Sequence, residues 1–181
     1  MDYTALAEAI KFYVNNHGFL YVDLPWVVRD EVCDLTRPNG ADPIRISHIE
    51  GEVVASGEQS FLQLFLDGRI KRGKRYVGCS PCFRDEKELS SLTRPYFMKV
   101  ELFCPGSDDI DLTLRPAFEF FSQHIYFADL SNVIVGDSQV DIFYKKRIEL
   151  GSYCVYEKSP VGKWVCGTGC AEPRFSHCVK G

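Results

Sequence analysis

Features that would place the chain in a membrane or outside the cell are missing from its sequence. No stretch approaches the ~20 consecutive apolar residues of a membrane span, and no N-terminal segment joins a basic start to an apolar run as a signal peptide does. We therefore expect a cytoplasmic protein that does not enter membranes. Internal repeats and low-complexity tracts are missing too, and 181 residues with 45% hydrophobic content suffice for one substantial core. A single domain over residues 1–181 is expected.

An excess of positive charge is also missing. The formal net charge of −4 and the pI near 5.6 argue against a protein body that binds nucleic acid non-specifically. The local exception is the segment 69–75, which holds five basic residues in seven. Such a run is most often a solvated face, and the alternative is a local patch that meets a phosphate chain.

A regular metal-binding cysteine pattern is missing although the chain has eight cysteines. Cys79 and Cys82 have the spacing of a zinc knuckle, but no second pair follows at matching spacing. Both lie in strand-like sequence, where cysteine packs as a small apolar residue. Without a signal peptide to indicate an oxidising compartment, we expect reduced, buried thiols rather than disulfides or structural zinc.

The order of predicted elements indicates an α+β fold with an antiparallel sheet, because strands are grouped together and helices come at intervals rather than in regular βαβ units. A helix over 3–16 ends at Gly18, and a strand over 19–28 carries Pro25. The other predicted elements are a hairpin of 45–49 with 52–55, helices over 60–67 and 114–130, strands over 76–83, 97–101, 133–135, 140–144, 147–156 and 163–167, and a turn at 167–169 before a short helical segment with Arg174.

The most informative motif is a pair of strands joined by a polar loop, with CFRDE at 82–86 and FMKVE at 97–101. Arg84 can pair with a phosphate, Glu86 can accept a hydrogen bond from an exocyclic amine, and Phe97 offers an apolar face to a base. The motif therefore predicts ATP binding.

Together with SGEQ at 56–59, ELGS at 149–152 and GTGCAEPR at 167–174, this motif resembles the catalytic core of class II aminoacyl-tRNA synthetases. The resemblance covers almost the whole chain and is strongest to the aspartyl, asparaginyl and lysyl subgroup. It implies a single α+β domain with an antiparallel sheet flanked by helices. The sequence has no segment assigned to an anticodon-binding domain, so we expect a stand-alone core.

The resemblance also implies a role for each matched residue. Arg84 and Arg174 would be catalytic, holding the α- and γ-phosphates of ATP, and Gln59 and Glu101 would bind the ammonium group of an amino acid. The implied ATP-binding residues are Arg84, Glu86, Arg94, Phe97, Glu149 and Arg174. The implied amino-acid-binding residues are Ser56, Glu58, Gln59, Glu101 and Ser152. The implied Mg²⁺ ligands are Asp141 and Glu149.

Two functions from different classes follow from the resemblance. The first is an ATP-dependent ligase that forms an aminoacyl adenylate and passes the acyl group to an amine, a hydroxyl, ammonia or an RNA such as tRNA. The alternative is a catalytically inactive paralogue that keeps the fold for binding or regulation. In either case the resemblance implies a homodimer through the strand region around Pro25.

Overall fold

The computed structural model describes residues 1–37 and 41–179. These residues form an α+β domain in which a mostly antiparallel sheet is flanked by helices. The helices are α1 (Tyr3–His17), α2 (Asp30–Cys33), α3 (Gly57–Leu66), α4 (Asp111–His124) and α5 (Arg174–Val179). The strands are β1 (Leu20–Tyr21), β2 (Val27–Val28), β3 (Glu52–Val53), β4 (Tyr76–Phe83), β5 (Tyr96–Pro105), β6 (Leu130–Gly136), β7 (Gln139–Tyr144), β8 (Ile148–Lys158) and β9 (Gly162–Ala171).

The main sheet has seven strands in the order β1-β4-β5-β9-β8-β7-β6. Strand β1 pairs with β4 in parallel, and every other pairing in this sheet is antiparallel. Strands β2 and β3 form a separate antiparallel pair. The central position of β5 and β9 brings the two most specific motifs of the sequence side by side.

The core lies on both faces of this sheet, because successive side chains along a strand point to opposite sides. Leu102 and Val165 face the cluster built with α1 and α4, whereas their neighbours Phe103 and Trp164 face the cluster built with α3. The ring of Phe103 stacks on Phe61 of α3 with a centroid separation of 5.0 Å. The result is a three-layer arrangement of helix, sheet and helix.

Helix α1 is held at both ends and against the sheet. The Asp2 carboxylate accepts hydrogen bonds from the N–H groups of Thr4 and Ala5, and Gly18 ends the helix at φ +65°, a left-handed conformation that suits glycine. Midway along, the buried Tyr13 hydroxyl donates to the carbonyl of Gly169 at 2.7 Å. The helix is thereby fixed to β9, the strand that leads to the candidate site.

Three sequence-based predictions of elements are corrected. The strand predicted over 19–28 is interrupted between β1 and β2, since Pro25 has no N–H to donate to a ladder. The predicted hairpin of 45–49 with 52–55 is wrong, because β3 pairs with β2 instead.

The turn predicted at 167–169 is the third correction, because β9 continues to Ala171. A Cβ on Gly167 would lie 2.2 Å from a ring atom of Tyr153, and one on Gly169 would lie 2.8 Å from a ring atom of Tyr13. These glycines therefore permit close packing within a strand rather than a reversal of the chain. Among the described residues, no helix has both the length and the apolar character to cross a bilayer.

Candidate active site

A cleft opens beside the ends of β4, β5, β8 and β9, where the strongest sequence motifs meet. It is open to solvent, and its empty space, counted out into that solvent, is about 500 Å³. All six residues predicted to contact ATP line it: Arg84, Glu86, Arg94, Phe97, Glu149 and Arg174. They come from segments far apart in sequence, so the fold itself assembles the set.

Arg84 lies immediately after β4 at the base of the loop 84–95. Its backbone N–H donates to the carbonyl of Pro95 at 2.9 Å, which closes the loop at its base. The guanidinium lies over the ring of Phe97 with Cζ 5.0 Å from the centroid, and Nε donates to the carbonyl of Ala55 at 3.4 Å. Arg84 is otherwise exposed, so its N–H groups are available to an anion.

Arg174 lines the same cleft from the α5 side. Its Nη1 atom lies 3.4 Å from Glu149 Oε1 and donates to the Glu149 carbonyl at 3.4 Å. The short helix that carries it is firmly anchored, because the Glu172 carboxylate accepts from the backbone N–H and the hydroxyl of Ser176. Phe175 also packs into the core against Phe120, with the ring centroids 5.3 Å apart. Arg174 is therefore presented by a fixed element.

The cleft is rich in positive charge although the chain is acidic. Four cations line it, namely Arg84, Arg94, Lys99 and Arg174, together with the carboxylates of Glu86, Glu149 and Glu172. The Glu172 carboxylate accepts hydrogen bonds from Ser176 of α5 and from the backbone N–H of Asp2, and Glu149 is paired with Arg174. The arrangement favours a ligand with several negative charges.

Strand β5 places Phe97, Lys99 and Glu101 on one face, since they are spaced by two residues. Glu101 is buried, and its Oε2 atom lies 2.8 Å from Lys99 Nζ and accepts from the Ser56 hydroxyl at 2.9 Å. Gly57 allows this approach, because a Cβ there would lie 3.0 Å from the Cβ of Glu101. Burial would lower the pKa of Lys99, but the Glu101 carboxylate raises it above its ordinary value. Lys99 is therefore charged.

Glu58 is buried next to this pair. Its Oε1 atom accepts a hydrogen bond of 2.6 Å from the indole N–H of Trp164. Loss of solvation raises the pKa of Glu58 to about 7, the Trp164 hydrogen bond opposes this shift, and the charge of Glu101 adds to it. The carboxyl group is consequently poised to change its charge near neutral pH.

The other six predicted site residues do not line this cleft, namely Ser56, Glu58, Gln59, Glu101, Asp141 and Ser152. Gln59 is buried, and its side chain binds the backbone N–H of Ala55 and the carbonyl of Cys33. Asp141 and Ser152 are bridged by the amide of Gln139, at 3.0 Å to each. Asp141 lies on β7, two strands from β9, which explains why it does not join Glu149 at the cleft.

The fit of the implied Mg²⁺ ion depends on Glu149. The described residues contain no group of three or more His, Cys, Asp or Glu side chains that could hold a metal ion by themselves. Mg²⁺ is commonly held by one or two carboxylates together with substrate phosphates, and Glu149 supplies such a carboxylate in the cleft. Cys79 and Cys82 are free thiols, and burial raises the pKa of each to about 11.

Sequence reasoning missed two residues that organise the site. Lys99 lines the cleft and pairs with Glu101, and its position midway between Phe97 and Glu101 at two-residue spacing was a usable signal. Glu172 anchors the helix of Arg174, and an acidic residue just before a helix is a recognisable signal for such capping.

The basic segment 69–75 is partly engaged in packing. The Arg72 guanidinium lies over the ring of Phe65, 5.1 Å from its centroid, and donates to the carbonyl of Val161. Arg75 lies over the ring of Phe19 at 5.5 Å. A nucleic-acid contact at this segment stays a prediction.

No protein-family model matches the chain. Solved structures do: the seryl-tRNA synthetase of Pyrococcus horikoshii, complexed with ATP, matches at 19% identity and a TM-score of 0.73 over 97% of this chain and 49% of that one. The cytoplasmic serine-tRNA ligase of Naegleria fowleri, in complex with AMP, matches at 16% identity and a TM-score of 0.69 over 97% of this chain and 52% of that one. The chain has the fold of a class II synthetase catalytic core.

A third similar structure agrees with this fold. PylSc of Desulfitobacterium hafniense, a pyrrolysyl-tRNA synthetase, matches at 16% identity and a TM-score of 0.70 over 99% of this chain and 68% of that one. The synthetase-like core spans about half the length of the two seryl enzymes. The α+β fold predicted from sequence is confirmed, whereas the aspartyl, asparaginyl and lysyl subgroup stays a prediction.

Proposed function

We propose that this protein is an ATP-dependent ligase that activates a carboxylic acid as its adenylate. The observation that carries the proposal is that six residues from separate segments, each predicted to contact ATP, line one cationic cleft. The fold supports it, since two of the similar structures were solved with ATP or AMP. We name the acid only by its carboxylate, because Gln59 and Glu101, expected to hold an ammonium group, are already engaged.

The arginines are suited to the phosphate chain. Arg84 would bind the α-phosphate and the acid's carboxylate, placing positive charge where the transition state gains negative charge. Arg174 and Arg94 line the cleft with it and would bind the β- and γ-phosphates, so that pyrophosphate can leave in line. Their contribution is positioning and electrostatics.

The remaining cleft residues are suited to the base and to the metal. Phe97 offers a ring face for adenine, and Glu86 offers an acceptor for its exocyclic amine. Mg²⁺, when bound with the nucleotide, would offset phosphate charge, and Glu149 is the carboxylate that fits it. Asp141 is not part of this proposal.

The reaction needs no covalent enzyme intermediate. A carboxylate oxygen attacks the α-phosphorus, the bond from that phosphorus to the bridging oxygen of the β-phosphate breaks, and pyrophosphate leaves with the bonding electron pair. An amine, hydroxyl, ammonia or RNA acceptor would then attack the acyl carbon and release AMP. The segment 69–75 is the place where an RNA acceptor would first be sought.

The exchange of labelled pyrophosphate into ATP tests the proposal directly. Exchange that depends on an added acid and on Mg²⁺ is expected, together with ATP binding by calorimetry. Arg174→Ala should reduce exchange on the order of 10²-fold, as for a lost transition-state contact, whereas the matched exposed change Arg115→Ala should not. ATP binding without exchange for any acid would favour the inactive paralogue, and no ATP binding would contradict both functions.

We also propose that the protein is a homodimer through the region around Pro25. Leu20, Tyr21 and Trp26 are large apolar side chains exposed there, and such exposed apolar surface marks an interaction site when it is contiguous. Light scattering should give a dimer at micromolar concentration, and Trp26→Glu should shift it to monomer. Tyr126→Glu changes a side chain that is more exposed than Trp26 and should leave the dimer intact, and a wild-type monomer would contradict the proposal.

A further inference from the structure

The cleft beside Arg84 already contains an ammonium group of the protein itself, that of Lys99. Lys99 Nζ lies 2.8 Å from Glu101 Oε2, and the Ser56 hydroxyl donates to that same oxygen at 2.9 Å. Lys99 lines the cleft, whereas the Glu101 side chain is only 2% exposed. The surface that a bound acid would meet here is therefore the lysine ammonium and not the carboxylate.

A substrate ammonium group would be poorly tolerated at this place. On the second oxygen of Glu101 it would share one negative charge with Lys99, leaving two cations and one anion in a largely buried pocket. Like charges brought together in such surroundings are strongly unfavourable. Displacing Lys99 instead would leave a desolvated lysine without its partner, which is also unfavourable.

The neighbouring polar side chains do not replace Glu101 as a partner for a substrate ammonium group. The Glu58 carboxyl is bound to the Trp164 indole, and the Gln59 side chain is bound to backbone groups on both sides. Among the carboxylates that line the cleft, Glu149 is paired with Arg174 and is the one proposed to hold Mg²⁺, and Glu172 is bound to Ser176. Glu86 is the one proposed to accept from the adenine amine, so each of these carboxylates already has another role.

Lys99 itself can bind an oxygen atom. Its ammonium has three N–H bonds, and within the described residues its polar contacts are Glu101 and, at 3.5 Å, the Ser56 hydroxyl. A third N–H bond remains for an acceptor in the cleft. Arg84 lines the same cleft and would hold the reacting carboxylate.

We propose that the acid activated here carries an uncharged, oxygen-bearing substituent beside its carboxylate, such as a hydroxyl or an acylated amine, and that Lys99 selects it by donating to that oxygen. This inference rests on the proposed function, because adenylation at Arg84 is what places the α-substituent near Lys99. It makes Lys99 the specificity-determining residue of the pocket.

Matched acids test the proposal in the wild-type protein. Pyrophosphate exchange is measured with the common amino acids and with their 2-hydroxy and N-acetyl counterparts. At least one uncharged counterpart should give kcat/KM about tenfold or more above that of its amino acid, given the cost of placing like charges together. Exchange with amino acids alone would overturn the inference and leave adenylation intact, and exchange with none of the acids would overturn both.

A substitution at Lys99 sharpens the test. In Lys99→Met, Glu101 is free to bind an ammonium group, so the preference should shift by about tenfold or more toward amino acids. Lys163→Met removes an exposed ion pair with Asp108 at 2.7 Å and should leave the preference unchanged. An unaltered preference in folded Lys99→Met, as judged by circular dichroism, would overturn the inference. If that variant does not fold, the wild-type panel still decides.

Discussion

The two halves of the candidate site differ in how their charges are satisfied. On the phosphate side, Arg84 and Arg94 are exposed, and Arg84 makes one long hydrogen bond to a backbone carbonyl. On the acid side, Glu58, Gln59 and Glu101 are buried and hydrogen-bonded within the protein. The first half is built to receive charge from a ligand, whereas in the second the carboxyl and amide groups have partners within the protein.

This difference predicts that substitutions on the phosphate side affect ligand binding and catalysis, whereas substitutions on the acid side affect the stability of the fold. Removing an exposed arginine should reduce ligand binding and catalysis and leave the fold intact, since surface charges contribute little to stability. Removing one partner from the acid side should weaken the fold, because a buried polar group left unpaired is costly. Four substitutions test the contrast, beginning with the one expected to have the largest effect.

Arg84→Ala should reduce pyrophosphate exchange on the order of 10²-fold or more, because a charge that stabilises the transition state is lost. The midpoint of urea unfolding should stay close to wild type. Arg115→Ala on α4 removes a side chain that is 80% exposed and should change neither quantity. Exchange near the wild-type rate in Arg84→Ala would show that the reacting atoms lie elsewhere.

Trp164→Phe should lower the free energy of unfolding by about 2–3 kcal/mol, because the buried Glu58 carboxyl loses its hydrogen bond and a small cavity forms. Urea denaturation measures the change, and ATP binding by the folded variant should persist. The exposed aromatic change Tyr126→Phe serves as the control. Equal stability of the two variants would remove the contrast between the halves.

Phe97→Leu should weaken ATP binding by about fivefold, corresponding to ~1 kcal/mol for the loss of an aromatic face. Calorimetric titration with ATP measures the dissociation constant of each variant. Phe127→Leu changes a phenylalanine that is 72% exposed, lies between α4 and β6 outside the cleft, and should bind ATP as wild type does. Unchanged affinity in Phe97→Leu would mean that the base does not stack there.

Glu58→Gln should flatten the pH dependence of stability. The unfolded carboxyl ionises near its ordinary pKa of 4.5, whereas burial raises the pKa of the folded group to about 7. Between these values the folded state holds a proton that the unfolded state has lost, so the wild-type contribution to stability falls as pH rises through this window. Glutamine keeps an acceptor for Trp164 and does not titrate. Melting temperatures of the wild type and the variant, compared from pH 4.5 to pH 7, should differ by a constant amount if Glu58 is not the group responsible.

The phosphate side was largely predictable from sequence because its residues occur in short motifs. Arg84, Glu86 and Phe97 lie on or beside two paired strands, and local pattern alone places them together. Arg174 required the fold, since β9 brings it beside β5 from far along the chain.

The acid side was not predictable in the same way. The partner of a buried group such as Glu58 is decided by packing across layers, here with Trp164 from β9. Gln59 was expected in the pocket, yet the backbone of the neighbouring segments satisfies it. Residue type indicates that a buried polar group needs a partner, and only the tertiary structure identifies which one.

The two walls of the cleft differ in how firmly they are held. The hydroxyls of Tyr13 and Tyr153 donate to the consecutive carbonyls of Gly169 and Thr168, both at 2.7 Å, and Thr168 itself lines the cleft. These hydrogen bonds hold β9 rigidly in place, and Arg174, which follows β9, is therefore held firmly as well. The loop 84–95 is tied down at its base and otherwise solvent-facing, so adjustment to the length or bulk of a ligand has to come from that side.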